Sequence, residues 1–512
     1  MVVLALAGAS AAWATDKPLS AIDWLSDTVT TPAGAAVGTA AKPSKTNEAP
    51  VSATSALPQS VATSTLDGPS PNGVGLLSPA VTGLPRDLWG MGLEAEIAAR
   101  ISAERADPLP ALQGLLMTLL LAEAAPPVDQ DGKGTLALAR IDKLLAMGAL
   151  DQAAVMLDML GSDQPEIFRR AFDVALLTGN EDKGCEMMRA APNLAPTFPA
   201  RIFCLARSGD WNAAALTLRT AQALGYVSPE EDALLSRFLD PDLYEGETLP
   251  ALPATMTPLS WRMFEAIGEP QPTTALPLAF AHAELRDAAG WKAQIEAAER
   301  LTRAGAIPPN RLLGLYTERL PAASGGVWDR VDVFQQFDTA LRAGDPGAVA
   351  QSLPPVWDMV TRAELEVPFA ILFADALGRL PLTGAAGRIA FDIGLLSPRY
   401  EATALARKPE TPREAFLIGV ATGNLAGAVA QDSLGRAIAP AFLRPAPGPQ
   451  FTDLADQRRL GEAVLLAIDL IGRGVQGDLS GVTVGLAFLR GAGLEDTARR
   501  TALELILLER RG

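Results

Sequence analysis

Three short stretches, GALDQA from Gly148, GNEDKG from Gly179 and GDWNAA from Gly209, succeed one another at intervals of 31 and 30 residues. Each glycine ends an apolar-periodic segment, where a helix closes in a left-handed turn, and the polar residues after it suit the start of the next helix. The residue five places on is small each time (Ala153, Gly184, Ala214), which allows the second helix to lie close against the first. The spacing returns at Gly423 with Ala428 and at Gly493 with Ala498, while Gly344 has Ala348 one place early. The longer intervals of 135, 79 and 70 residues approximate whole numbers of 30-to-40-residue units. A chain with this punctuation is expected to stack helix pairs.

Composition agrees. Ala and Leu supply most of a 48% hydrophobic content and aromatics only 5%, which favours helix over sheet. The junctions resemble those of a degenerate tetratricopeptide-type α-solenoid, although the period is 30 or 31 rather than 34 and that family's first-helix Trp and Leu-Gly signature is not evident. The resemblance implies an all-α solenoid of stacked hairpins and a surface for protein contacts. Pro-rich stretches at 239–260 and 444–450 divide the expected array into blocks at 84–238, 261–443 and 444–512.

The N-terminal region is of another kind. MVVLALAGASAAWATDK has an apolar core from Val2 to Ala12 and a small-residue pattern at Ala12-Trp13-Ala14, so residues 1–14 read as a secretory signal, although no Lys or Arg precedes the core. Residues 31–83, rich in Ala, Thr, Ser, Pro and Gly, have little to bury against the cost of ordering and read as a disordered linker with an end-to-end reach of about 40 Å. Their Ala/Thr content superficially resembles antifreeze glycopeptides, without the regular tripeptide repeat. Between signal and linker, residues 15–30 contain PLSAIDWLSDTV, in which Leu19, Ile22, Leu25 and Val29 share a helical arc and Trp24 falls outside it. Such a short helix is marginal in water, so these four residues are expected to dock, on the chain's own body or on a partner.

Charge and cysteine narrow the setting. A net charge of −16 with no basic cluster argues against nucleic acid and anionic membrane surfaces. The most apolar run, at 109–125, carries Pro110, Gln113 and Glu123 and reads as a core helix, so no integral membrane span is expected. Cys185 and Cys204 lie about equally far from the AAPNLAP connection; if the flanking helices run antiparallel, the two face each other and would form a disulfide in an exported protein.

Chemistry-bearing patterns are few. DQDGKGTL at 129–136 resembles the start of an EF-hand loop through Asp129, Asp131 and Gly134, but Lys133 and Arg140 occupy two ligand places, so no metal site is expected. GRGVQG from Gly472 matches the dinucleotide glycine pattern but sits among helices and reads as a helix end. The single histidine, His282, excludes a His-based centre, and no G-x-S-x-G elbow occurs outside the signal region. The expectation is therefore a non-catalytic scaffold or adaptor, exported to the periplasm or secreted, with a protein partner and no cofactor. The alternative is a cell-wall-active enzyme on a helical superhelix using a carboxylate.

Overall fold

The computed structural model describes Trp24 and residues 70–161, 163–475 and 477–508. Among these residues the secondary structure is helical throughout, apart from one isolated bridge between Leu77 and Ala122. Helix starts obey elementary capping rules. Pro165, Pro229, Pro258, Pro309 and Pro412 each sit in a first turn, where a missing N–H is harmless. Side chains of Thr197, Asp210, Ser228, Thr257 and Thr411 accept hydrogen bonds from first-turn amides of the helices they precede.

The repeat-turn glycines Gly148, Gly179, Gly209, Gly423 and Gly493 all have φ between +72° and +85°, a region that penalises a Cβ. After four of them a helix begins within two residues. After Gly423 the chain runs irregularly to Ser433, so that junction does not open a hairpin. The small residues after the turns serve close packing: Ala153, Ala214 and Ala498 are fully buried, and a Cβ on Gly184 would come within 2.7 Å of the Phe172 ring.

Consecutive helices pack mainly on their neighbours in sequence. The apolar interior forms two clusters. A large one runs from Trp24 and Leu84 to Leu508, and a smaller one gathers Phe168, Phe172, Phe203, Leu235 and Phe264 around the Cys185–Cys204 disulfide. The smaller cluster crosses 239–260, so this stretch does not separate packing units: the Pro258–Ala266 helix returns to pack on Pro165–Thr178. The 444–450 stretch is crossed likewise, with the Ser433–Leu443 helix packed on Leu479–Gly491.

The body also begins earlier than the linker reading of 31–83 allows. Residues 70–83 are ordered because polar groups anchor them, which a count of apolar residues does not register. Asn72 is fully buried, donates to Glu94 Oε1 and accepts from the Ala137 amide. Arg140 is buried and donates to the carbonyls of Asn72, Val74, Leu120 and Ala122, holding this strap against the end of the Pro110–Leu121 helix.

The two ends of the body meet. The Leu88 carbonyl accepts from the Gly461 amide, and the fully buried Glu462 pairs with Arg459 beside it and with Arg100 at 3.0 Å. The last helix, Glu495–Leu507, packs on Pro110–Leu121, where the Ala111 amide donates to Glu504. No helix of the described residues is long and apolar enough to cross a membrane.

Candidate functional site

Where the last helix closes on an early one lies a cleft of about 430 Å³. Its walls come from six helices, most of them far apart in sequence: Pro110–Leu121, Leu150–Leu160, Trp291–Arg303, Pro309–Glu318, Glu366–Leu377 and Glu495–Leu507. Met117, Ile307, Val367 and Ile371 supply apolar surface, and Gln113, Gln152, Thr302, Arg303 and Arg500 supply polar groups. No acidic side chain is among the described residues that line it. In a chain of net charge −16, a cavity with two guanidinium groups and no carboxylate in its walls is a local reversal of sign.

The polar groups here are incompletely engaged. Among the described residues the buried Thr302 hydroxyl and Gln152 Oε1 have no hydrogen-bond partner, as is true of the Thr501 hydroxyl, which does not line the cleft. Arg500 approaches Asp496 only at 3.9 Å. Arg303 donates through Nε to the Ala363 carbonyl and lies 3.7 Å from Glu364. None of these side chains carries a sequence signal; helix spacing makes them ordinary surface or core positions, and only the packing of distant helices brings them together.

Of the residues expected to dock, Leu19, Ile22, Leu25 and Val29 lie outside the described residues. Trp24 is described, and it corrects the expectation that assigned it no docking role: it is 5% exposed, belongs to the main apolar cluster and meets Phe280 edge-on with ring centroids 5.6 Å apart. An indole buries more apolar area than any single residue of the aliphatic arc, so it makes the stronger anchor. Phe280 lies in the 3₁₀ segment Leu278–Leu285, which also carries His282. The imidazole Nε2 is 2.7 Å from the Gly148 carbonyl, and burial pushes its pKa down, so His282 fixes this segment to a repeat turn.

The other sequence patterns have structural partners. In the EF-hand-like stretch, Asp129 caps the Glu94 amide, Asp131 pairs with Lys133 and Arg140 is committed to four carbonyls. Among the described residues no group of three His, Cys, Asp or Glu side chains is placed to hold a metal ion. Gly472 and Gly474 lie in the Leu460–Val475 helix, and a Cβ on Gly474 would strike Val482, so this glycine admits a neighbouring helix. Cys185 and Cys204 are disulfide-bonded with Cα atoms 5.0 Å apart.

One carboxyl stands out. Burial, with the Asp469 charge adding, pushes Glu104 up to about 8, against the opposing influence of Lys143 and Arg100. Glu104 comes directly after the Glu94–Ala103 helix and does not line the central cleft.

Comparison of the chain with family models, curated proteins and solved structures finds no match to any of them.

Proposed function

We propose that this chain is an exported, non-catalytic adaptor of the periplasm or envelope, a degenerate tetratricopeptide-like α-solenoid that recognises a protein partner through its central cleft. The observation that carries this reading is the lining of that cleft, in which two arginines and several apolar side chains stand without a carboxylate among the described residues. Such a surface suits recognition, whereas hydrolysis by a carboxylate needs that group beside the reacting bond. Left-handed glycine turns and neighbour-to-neighbour packing support the solenoid part. Burial of Trp24 against Phe280 supports docking of the N-terminal segment on its own body, which leaves the cleft as the surface presented to others.

The test is affinity purification of the full chain from envelope extract with mass spectrometry, beside an Arg303→Glu/Arg500→Glu variant. The adaptor reading expects a partner in stoichiometric yield with wild type and its loss with the variant. A second reading, a cell-wall-active enzyme, draws on Glu104, whose raised pKa would keep a proton available at neutral pH. Release of soluble fragments from isolated cell wall, abolished by Glu104→Gln, would establish that reading and overturn the first.

A further inference from the structure

We propose that the segment Leu278–Leu285 is an acid-operated latch: protonation of His282 loosens it from the Gly148 turn and frees Trp24 from its seat on Phe280. The inference goes beyond the adaptor reading and rests on one part of it, the docking of the N-terminal segment on its own body. Leu278–Leu285 is an eight-residue 3₁₀ helix whose first turn has no side-chain cap. Runs of this kind rarely exceed three or four residues, because their hydrogen bonds are poorly aligned, so a longer one is held by its surroundings more than by its own bonds. Here the surroundings are apolar: Ala279, Phe280, Ala281 and Ala283 are at most 1% exposed and belong to the main cluster. Two side chains of the segment give it its connections. Phe280 carries the Trp24 ring, with 5.6 Å between centroids, and His282, two residues on, bonds through Nε2 to the Gly148 carbonyl at 2.7 Å.

A carbonyl can only accept, so Nε2 holds the proton of the neutral ring and a second proton adds at Nδ1. The bond to Gly148 survives that step, but a cation then occupies a site only 5% exposed among apolar side chains. An ion so placed is far less favourable than the neutral ring, and burial accordingly holds the imidazole below its usual 6.5. Of the charges that act on it, Asp151 favours the cation and Arg311 opposes it. Those of the helices packed on the segment have partners of their own: Arg300 donates to the Thr273 and Leu276 carbonyls, Glu299 pairs with Arg330, Arg170 pairs with Asp142, and the buried Asp173 is engaged as well. The docked arrangement is therefore at full stability above 6.5, where the ring is neutral whether seated or free, and it weakens as pH falls toward and through the lowered value. Hydrating the cation requires the 3₁₀ segment to move away from the Gly148 turn, and Phe280 moves with it.

Fluorine NMR of the full chain labelled with fluorotryptophan tests this, with the Trp24 resonance assigned by its loss from Trp24→Phe and its undocked position taken from Phe280→Ala. In wild type the resonance should stand at a docked position at about pH 7.5 and reach the undocked one by about pH 5, with a midpoint below 6.5, while the other tryptophans hold theirs. His282→Gln, which takes up no proton in this range, should keep Trp24 docked at about pH 5. Should that variant fail to dock Trp24 at all, amide exchange of 278–285 in wild type is the second readout: its protection, corrected for the intrinsic effect of pH, should fall with the same midpoint. A Trp24 resonance that stays docked at about pH 5, that moves equally in His282→Gln, or that moves only together with every other tryptophan overturns the latch, as does unchanged protection of 278–285. A docked Trp24 that ignores pH defeats this inference alone. A resonance identical in wild type and Phe280→Ala at about pH 7.5 shows instead that Trp24 does not dock in cis, which defeats that part of the adaptor reading as well.

Discussion

The Ala111 amide donates to Glu504 Oε2 at 2.8 Å, across 393 positions of sequence. Ala111 is in the first turn of Pro110–Leu121, where amides have no partner within the helix, and Leu109 before it has no side chain able to cap. Glu504, buried on the last helix, therefore supplies the missing acceptor and places a negative charge at a helix N-terminus. Glu504→Ala should lower stability by roughly 1–3 kcal/mol, because it leaves a buried amide unsatisfied. Glu504→Gln, which retains an acceptor, should lose less. Denaturant titration of both variants measures this, and equal stability of Glu504→Ala and wild type would show that the contact contributes nothing to closure.

Arg140 should be less replaceable. Its guanidinium serves four carbonyls from two segments, and burial lowers its pKa to about 10 without removing its charge at neutral pH. Arg140→Leu is expected to destabilise by roughly 3 kcal/mol or more, since several buried carbonyls lose their donor together. Arg140→Lys should recover only part of this, because an ammonium cannot fan out to all four. Protease sensitivity of residues 70–77 is the local readout and should rise in both variants.

The disulfide closes a loop with a sequence separation of 19. In the chain-entropy model such a loop adds about 3 kcal/mol. Reductant should lower the melting temperature of wild type and leave a Cys185→Ser/Cys204→Ser variant unaffected. Alkylation of both thiols in native, unreduced protein would contradict the bond.

Glu104 sets a pH dependence of definite sign. Its pKa rises from 4.5 in the unfolded chain to about 8 in the fold, so between these values the folded state holds a proton that the unfolded state lacks. This contribution to stability is complete below about pH 4.5 and is lost as pH rises through about 8. Glu104→Gln should flatten that slope and exceed wild type at about pH 8.5 by on the order of 2 kcal/mol, with the difference shrinking toward about pH 5. Denaturation midpoints across this pH range check it, and a pH-independent difference would assign the effect to something other than this proton.

What the sequence discloses and what it hides divide along physical lines. Helical class is legible from Ala and Leu content and from periodicity, because helices satisfy their hydrogen bonds locally. Gly148, Gly179 and Gly209 show their turns openly, since a left-handed turn favours glycine at that position. Gly423 carries the same signature without a hairpin, because a turn residue governs how one helix ends and not how soon another begins. Asn72 is hidden inside a segment that reads as linker and Arg140 beside a stretch that reads as EF-hand-like, for their order comes from polar satisfaction across 68 positions of sequence. The cleft was hidden altogether: Gln152, Thr302 and Arg500 belong to separate helices, and no local pattern states that Glu495–Leu507 returns to Pro110–Leu121. Trp24 leaves a signal, a large aromatic between stretches that read as a signal segment and a linker, but helical-wheel geometry favours its aliphatic neighbours.

Which surface this protein offers to others depends on whether Trp24 is occupied within its own chain. A double-mutant cycle on Trp24→Ala and Phe280→Ala, read by equilibrium denaturation, measures that directly. Trp24→Ala alone should destabilise the body, and the pair should show a coupling of about 0.5–1.5 kcal/mol from the edge-on ring contact. A Trp24→Ala protein as stable as wild type, with strictly additive effects in the double variant, would mean that Trp24 does not dock in cis and that the N-terminal segment is free to seek a partner of its own.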